Sequence, residues 1–249
     1  MSKIRAITFD LWDTIFCDNT DEAKRQSAGR LSKSLERRFL VHRFLEKHKS
    51  VDKKLIDAVY DKIDNEFKRE WNVHHTTWTV EERISKILNE LNRELPEQEK
   101  TELIKLHEEM ELEFRPDVVR GVREALVSLQ GKYKLGVISD TIFSPGRVLR
   151  ELLRDEGLYD FFEVCIFSDE AGKSKPHPLV FESALKSFAI EPHELVHIGD
   201  RELKDIEGAK NIGARAILCK AIIDRGNSNS IAHTSFDDYE KLPEIIDAL

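Results

Sequence analysis

Reactive side chains recur in this sequence where short apolar runs end. The first run, residues 4–9, ends in Asp10, and an ionised aspartate beside a buried strand is costly unless a cation or several donors face it. The groups that follow the later runs are Ser139, Asp140, Lys175, Asp200 and Asp205. A carboxylate can act as a covalent nucleophile or bind a hard cation, and a lysine can neutralise a phosphoryl group. Each group alone also fits an ordinary turn, but their joint placement at strand ends indicates a single site.

The elements that must position these groups alternate in type after Pro116. We expect strands at residues 4–9, 135–139, 164–167, 195–198 and 214–219. Helices are predicted at residues 122–130, 147–155, 178–188, 205–211 and 241–249, with a loop at residues 225–235. Strands that alternate with helices of this length form right-handed crossovers and a parallel sheet, whose carboxyl ends meet at one edge. The reactive groups should therefore lie together at that edge.

The segment from about Cys17 to Arg115 has a helical period instead, with apolar residues three or four positions apart. The four stripes are Leu31, Leu35 and Phe39; Leu55, Val59, Ile63, Phe67 and Trp71; Ile84, Ile87, Leu88, Leu91 and Leu95; and Leu103, Leu106, Met110 and Phe114. We predict four amphipathic helices packed as a small bundle. Charge runs such as residues 36–38 are expected on solvated faces.

The predicted fold class is therefore α/β. A Rossmann-like parallel sheet flanked by helices forms the core, residues 1–16 and 117–249, and an inserted all-α cap occupies residues 17–116. The connection between the second and third predicted helices contains Trp71, His74, His75 and Trp78. We expect its tryptophans to pack into the bundle rather than to contact a substrate, and adjacent histidines without further ligands do not indicate a metal site.

The composition disfavours several classes of function. Charged residues make up 35% of the 249 residues and the formal net charge is −8, which argues against sequence-independent binding to nucleic acid or anionic membranes. The cysteines, Cys17, Cys165 and Cys219, form no zinc or disulfide pattern, so we expect a reducing, cytoplasmic location. No stretch reaches the length of a membrane span. A small-molecule partner is indicated, and the sequence leaves open whether the protein is a monomer or a homodimer.

The order of the motifs resembles the haloacid dehalogenase superfamily. The matching segments are Phe9-Asp10 with Asp13-Thr14, then Ser139, then Lys175-Pro176-His177-Pro178, and then Gly199-Asp200 with Asp205. A helical cap after the first motif occurs in one large subgroup of that superfamily. The resemblance implies that Asp10 is the nucleophile, and that the transferred group is bound by Ser139, Asp140 and Lys175. It further implies a Mg²⁺ ion held by Asp10, Asp200, Asp205 and the backbone carbonyl of Trp12, and a sheet in which the first and fourth strands are neighbours.

One position departs from the phosphatases of that superfamily. They carry a second aspartate two residues after the nucleophile, which protonates the leaving group, whereas this chain has Trp12. Haloacid dehalogenases also lack that aspartate because halide leaves without a proton, but they usually lack the metal-binding aspartate that Asp200 matches. We expect a Mg²⁺-dependent phosphatase that acts on a small phosphate ester through a covalent aspartyl-phosphate. Two alternatives stay open: a 2-haloacid dehalogenase, and a weakly active fold that binds a phosphorylated metabolite or a protein partner.

Overall fold

A six-stranded parallel sheet forms the centre of the molecule. The computed structural model describes residues 3–226 and 229–249. The strands are β1 (Ala6–Phe9), β2 (Lys134–Ser139), β3 (Val164–Phe167), β4 (Leu195–Gly199), β5 (Arg215–Cys219) and β6 (Thr234–Phe236). Their spatial order is β3-β2-β1-β4-β5-β6, and every neighbouring pair is parallel. The α/β class is therefore confirmed, and β1 and β4 are neighbours as the family resemblance implies.

Helices cover the sheet and fill the long segment between β1 and β2. The helices of that segment are α1 (Thr20–Ser27), α2 (Lys33–Glu46), α3 (Lys53–Arg69), α4 (Val80–Glu90), α5 (Glu97–Glu108), α6 (Met110–Glu113) and α7 (Val122–Leu129). The later helices are α8 (Gly146–Asp155), α9 (Ser168–Ala171), α10 (Pro178–Phe188), α11 (Gly208–Asn211) and α12 (Leu242–Asp247). Two π-helical turns, Glu70–His74 and Glu202–Glu207, follow α3 and β4. Within the described ranges, no helix has both the length and the apolar content to cross a bilayer.

The apolar interior is divided between the sheet and the inserted helices. Clusters around Phe9 and around Phe181 cover the two faces of the sheet. A separate cluster, which includes Phe44, Ile63 and Ile84, holds α2 to α5 together. Because this cluster has its own buried side chains, we propose the boundaries expected from the sequence, with residues 17–116 as the cap.

The inward face of α2 differs from the stripe expected from the sequence. Leu31, Leu35 and Phe39 are exposed by 45%, 56% and 44%. The helix instead buries Leu40, Val41, Phe44 and Leu45 together with the charged residues Lys33 and Arg37. The reason is that the buried carboxylates of Asp21 and Glu111 accept from Lys33, and Glu111 also lies 3.9 Å from Arg37, so polar residues occupy inward positions that a hydrophobic pattern assigns to solvent. The expectation of a solvated face is therefore wrong for Arg37.

The predicted loop at residues 225–235 contains part of the sheet. Thr234–Phe236 forms β6, which pairs with β5 and buries Phe236. A three-residue strand among polar residues is too short to show an alternating pattern, so the sequence gives no signal for it. Asn227 and Ser228, which the same prediction includes, lie outside the described residues.

Candidate active site

Asp10 lies at the centre of the candidate site. It follows β1 directly, and its backbone N–H donates to the Ile198 carbonyl oxygen of β4 at 2.8 Å. All four residues of β1 are buried, so this central strand can open a polar site only where it ends. The Asp10 side chain is 8% exposed, and its Oδ1 lies 2.8 Å from Lys175 Nζ. Asp10 is therefore a buried carboxylate in direct contact with a cation.

Lys175 uses its ammonium group to join three parts of the sheet edge. Besides Asp10, Nζ contacts Asp205 Oδ1 at 2.6 Å and donates to the Ile138 carbonyl oxygen at 3.0 Å. These three acceptors match the three protons of an ammonium group. Burial opposes the charged form, but Asp10 and Asp205 raise the pKa of Lys175 above its ordinary value. The lysine backbone N–H also donates to Asp140 Oδ1 at 2.8 Å, which fixes the end of β2 beside the nucleophile.

Asp205 lies beneath Lys175 and is bonded at both carboxylate oxygens. Its Oδ1 also contacts His197 Nε2 at 3.2 Å, and its Oδ2 accepts from the Arg201 backbone N–H at 2.9 Å. Burial alone would raise the pKa of this carboxyl, but Lys175 and His197 hold the pKa below its ordinary range. A Cβ at Gly199 would lie 2.2 Å from Asp205 Cγ, so only glycine lets this side chain pack against the end of β4.

Asp200 completes a cluster of three carboxylates. One oxygen each of Asp10, Asp200 and Asp205 lies within 4.8 Å of the others. Asp200 Oδ1 is buried without a hydrogen-bond partner among the described residues. Burial and the charges of Asp10 and Asp205 raise the pKa of Asp200 to about 7. Oxygen donors with an unpartnered buried carboxylate fit a hard divalent cation such as Mg²⁺, although Asp205 would have to share an oxygen with its present donors.

A basic and aromatic wall faces Asp10 across a narrow space, the inner cleft, which has a volume of about 40 Å³. The wall includes Trp12, Trp71, Asp140, Lys175, Arg201 and Lys204. Lys204 Nζ lies 3.9 Å from the centroid of the Trp71 ring and 3.8 Å from Asp140 Oδ2. Burial raises the pKa of Asp140 to about 6 against the pull of Lys175 and Lys204, and burial lowers the pKa of Lys204. Three cationic side chains, Lys175, Arg201 and Lys204, outnumber the two carboxylates of Asp10 and Asp140 and make this cleft suited to an anionic group.

The structure brings most of the predicted site residues to one place. Those that meet at the carboxyl edge of the sheet are Asp10, Asp140, Lys175, Asp200 and Asp205. Ser139 ends β2, is 1% exposed, and has its Oγ 3.5 Å from the Asp140 carbonyl oxygen. Trp12 lines the inner cleft with its side chain. The contact of Ser139 with a transferred group and the metal contact of the Trp12 carbonyl stay predictions.

Three residues of the wall were not found from the sequence. Trp71 lines the inner cleft, with Lys204 against its ring, and the expectation that it packs into the bundle rather than against a substrate stays a prediction. Trp78 does pack there, with its ring 6.1 Å from that of Phe67. Arg201 and Lys204 lie between Asp200 and Asp205 in the sequence. Their position between two predicted site residues could have indicated that they lie near the site.

Arg225 reaches the carboxylate cluster from the segment after β5. Its Nε donates to Asp200 Oδ2 at 2.6 Å, and its Nη2 donates to Asp13 Oδ2 at 3.0 Å. The other oxygen of Asp13 accepts from the Asp18 backbone N–H at 3.1 Å. Asp13 is thus bonded at both oxygens, and it does not line the inner cleft as the described residues define it. The guanidinium partly compensates the charge of Asp200 and leaves Asp200 Oδ1 for a cation.

We expect Arg225→Gln to lower the free energy of unfolding by roughly 1–3 kcal/mol in chelator, because a buried carboxylate loses a charged donor. Urea unfolding at neutral pH measures the change. Lys241→Gln removes an exposed pair with Asp237 and serves as the control, with an expected change below about 0.5 kcal/mol. Equal changes in the two variants would contradict a structural contribution of Arg225 to the cluster.

Comparison with known proteins agrees with the fold. The family model described as haloacid dehalogenase-like hydrolase matches residues 4–213, which is more than half of the chain. The chain therefore belongs to the haloacid dehalogenase-like hydrolases. It is similar in fold to the crystal structure of a 2-haloacid dehalogenase from Pseudomonas syringae pv. Tomato DC3000, with a TM-score of 0.71, 21% identity, and coverage of 98% of this chain and 99% of that one.

Curated relatives match a shorter part of the chain. A glyceraldehyde 3-phosphate phosphatase from Pyrococcus furiosus is 36% identical over 134 residues, 53% of this chain and 54% of that protein. A glyceraldehyde 3-phosphate phosphatase from Pyrococcus abyssi is 42% identical over 103 residues, 41% of this chain and 42% of that protein. The chain thus spans about half the length of the curated relatives it matches, and their substrates are not transferred by similarity alone.

Proposed function

We propose that the protein is a Mg²⁺-dependent phosphatase that hydrolyses a small phosphate ester through a covalent aspartyl-phosphate on Asp10. The observation that carries the proposal is the Asp10–Lys175 contact beside the three-carboxylate cluster. Loss of a halide needs no acidic cluster, whereas phosphoryl transfer requires its charge to be neutralised. The phosphatase names of the relatives support the same choice over a dehalogenase. The three free thiols fit the reducing location expected from the sequence.

In the proposed reaction, Asp10 is the nucleophile and Lys175 neutralises the charge of the transferred group. An oxygen of Asp10 attacks phosphorus, an Asp10 O–P bond forms, and the ester P–O bond breaks so that the alcohol oxygen leaves with the electron pair. Lys175 stays protonated and neutralises the transferred group. Water then attacks phosphorus and the Asp10 O–P bond breaks, which releases phosphate and restores the Asp10 carboxylate. The proton that water loses balances the proton that the departing alkoxide takes up from solvent. A bound Mg²⁺ ion would be held by the carboxylate cluster and would supply further neutralisation of charge.

One assay separates this proposal from the two alternatives. A panel of phosphate esters and 2-chloro acids is incubated with the protein, each with Mg²⁺ and with a chelator. Phosphate release that requires Mg²⁺ is the expected result. Halide release that continues in chelator would identify a dehalogenase instead. Absence of both products would favour a binding fold.

Trp12 predicts a preference for esters whose alcohols leave as anions. Trp12, which cannot protonate a leaving group, lines the inner cleft and occupies the sequence position of the proton-donating aspartate in related phosphatases. Asp13 does not replace that aspartate, because its carboxylate is bonded to Arg225 and to the Asp18 backbone N–H. General acid assistance is typically worth about 10² to 10⁴ in rate. We therefore expect log kcat/KM, which reports the step in which the ester bond breaks, to depend steeply on leaving-group pKa across aryl and alkyl phosphates, and Trp12→Asp to reduce that slope.

Trp12→Phe is the matched control because it removes the indole without adding a carboxyl, and its slope should equal that of the wild type. The slope is a better measure than the absolute rate, since a smaller side chain leaves a cavity that lowers stability. A wild-type slope that is already shallow and equals that of folded Trp12→Asp would show that another group supplies the proton. Asp140, whose pKa is raised to about 6 by burial, is then the nearest candidate in the inner cleft.

A further inference from the structure

A second space, the outer cleft, lies next to the inner cleft, between the inserted helices and the sheet edge. Its volume is about 210 Å³. The two clefts share Trp12, Ile142 and Arg201 in their walls, so they are adjacent. For a substrate whose phosphoryl group lies beside Asp10 in the small inner cleft, the outer cleft is the neighbouring space for the rest of the molecule.

Arg37 of α2 lines the outer cleft, although its side chain is only 6% exposed. The guanidinium carbon lies 3.6 Å from the centroid of the Phe143 ring. Its Nε and Nη2 have no hydrogen-bond partner in the part of the chain that the structure describes. The carboxylate in contact is that of Glu111, whose Oε1 is 3.9 Å from Nη2, beyond hydrogen-bond range. Burial lowers the pKa of Arg37, and Glu111 only partly offsets this effect.

Glu111 does not serve as the partner because its oxygens bind other groups. Oε1 accepts from Lys33 Nζ at 3.1 Å, and Oε2 accepts from the Ser144 hydroxyl. Lys33 is shared with Asp21, whose Oδ2 lies 2.8 Å away. A buried guanidinium without hydrogen bonds is costly, and its planar donors match a carboxylate or a phosphate. The outer cleft is thus lined by a buried guanidinium whose donors without a partner among the described residues match an anion from outside the chain.

We propose that the outer cleft is the leaving-group subsite and that Arg37 binds a second anionic group of the substrate there, a carboxylate or a second phosphate. The inference rests on the proposed phosphatase function and narrows its substrates to phosphate esters of small anionic alcohols. Glyceraldehyde 3-phosphate, for which the Pyrococcus relatives are named, has a neutral leaving group and lies outside this class.

The test compares esters with and without the second charge. Phosphoglycolate and ethyl phosphate differ by a carboxylate, and propane-1,3-diol bisphosphate and propyl phosphate differ by a second phosphate. We expect the wild-type kcat/KM to favour the charged member of one pair by about 10- to 100-fold, as for a charge-assisted hydrogen bond. Arg37→Gln should remove this preference, mainly through KM, and change kcat/KM for the neutral esters by less than about threefold. The pair in which the charged ester is preferred shows whether Arg37 binds a carboxylate or a second phosphate.

Arg38→Gln is the matched control, because Arg38 has the same charge on the same helix but donates to Asp61 at 2.7 Å. Arg37→Lys should retain part of the preference, which separates lost recognition from lost folding. Calorimetric titration of the four esters into the Asp10→Asn variant, and into the double variant that also carries Arg37→Gln, measures binding in the absence of turnover. If the wild type shows no preference for the charged esters, or if Arg37→Gln retains that preference, the proposed role of Arg37 is wrong. The proposed phosphatase function is unaffected by either result. Failure to hydrolyse any ester overturns the proposed function, and the titration then decides whether Arg37 still selects anions.

Discussion

Asp10→Asn is expected to reduce kcat by about 10⁴-fold or more, because an amide cannot form the aspartyl-phosphate. The substitution preserves the shape of the side chain, and Lys175 keeps its contacts with Asp205 and the Ile138 carbonyl oxygen. It also removes a negative charge that raises the pKa of Asp200. The variant should therefore fold as well as the wild type in chelator, or better.

Two measurements define this result. Phosphate release from a good aryl phosphate gives kcat, and thermal unfolding in chelator gives stability. Asp117→Asn is the control, since Asp117 is an exposed aspartate paired with Lys24 and should leave both values near those of the wild type. Acid-quenched wild-type enzyme should also carry phosphate, whereas Asp10→Asn should not. Wild-type activity in pure Asp10→Asn would contradict the covalent mechanism.

The parts of the site that could be predicted from the sequence lie at the ends of continuous apolar strands. A parallel sheet covered on both faces makes its strands nearly uniformly apolar, so a charged residue at a strand end is conspicuous. Asp10 after β1 and Asp200 after β4 are both of this kind, and the register pairs Phe9 with Ile198. Their meeting then follows from topology, because parallel strands end at the same edge.

The residues that were missed depend on contacts that no local pattern records. Arg225 pairs with Asp13 across 212 positions and comes from a segment without regular structure. Arg37 belongs to a charge run, and hydrophobic periodicity assigns such residues to solvent. It lies inward because Lys33, Asp21 and Glu111 form a buried polar network at that end of α2. Charged groups buried in pairs or networks are therefore the part of this site that only coordinates reveal.

Asp200→Ala is expected to abolish the stabilisation of the protein by Mg²⁺ and to lower the Mg²⁺-dependent rate by about 10³-fold or more, beyond the 10- to 100-fold typical of a supporting partner. The reason is that Asp200 Oδ1 is a buried oxygen of the three-carboxylate cluster that has no hydrogen-bond donor among the described residues. A ligand at 100 times its Kd stabilises the native state by about 2.7 kcal/mol. Thermal unfolding with and without Mg²⁺ therefore shows the loss even if activity is too low to measure. Asp224→Ala, an exposed aspartate after β5, is the control.

Removal of the Asp200 carboxylate should have opposite effects on protein stability in chelator and in Mg²⁺. In chelator, the Asp200 pKa of about 7 lies above its ordinary value of 3.8, because burial and the neighbouring Asp10 and Asp205 disfavour the charge. The native state then binds more protons than the unfolded state, so this group makes wild-type stability fall as pH rises from about 4 to about 7. Asp200→Asn removes that fall, and its advantage in melting temperature over the wild type should grow between pH 5 and pH 8. With Mg²⁺ at pH 8 the order should reverse, since only the wild type binds the ion tightly. If the advantage of Asp200→Asn does not change with pH, the raised pKa of Asp200 in the metal-free protein is contradicted. If the advantage persists in Mg²⁺, Asp200 is not a ligand of the ion.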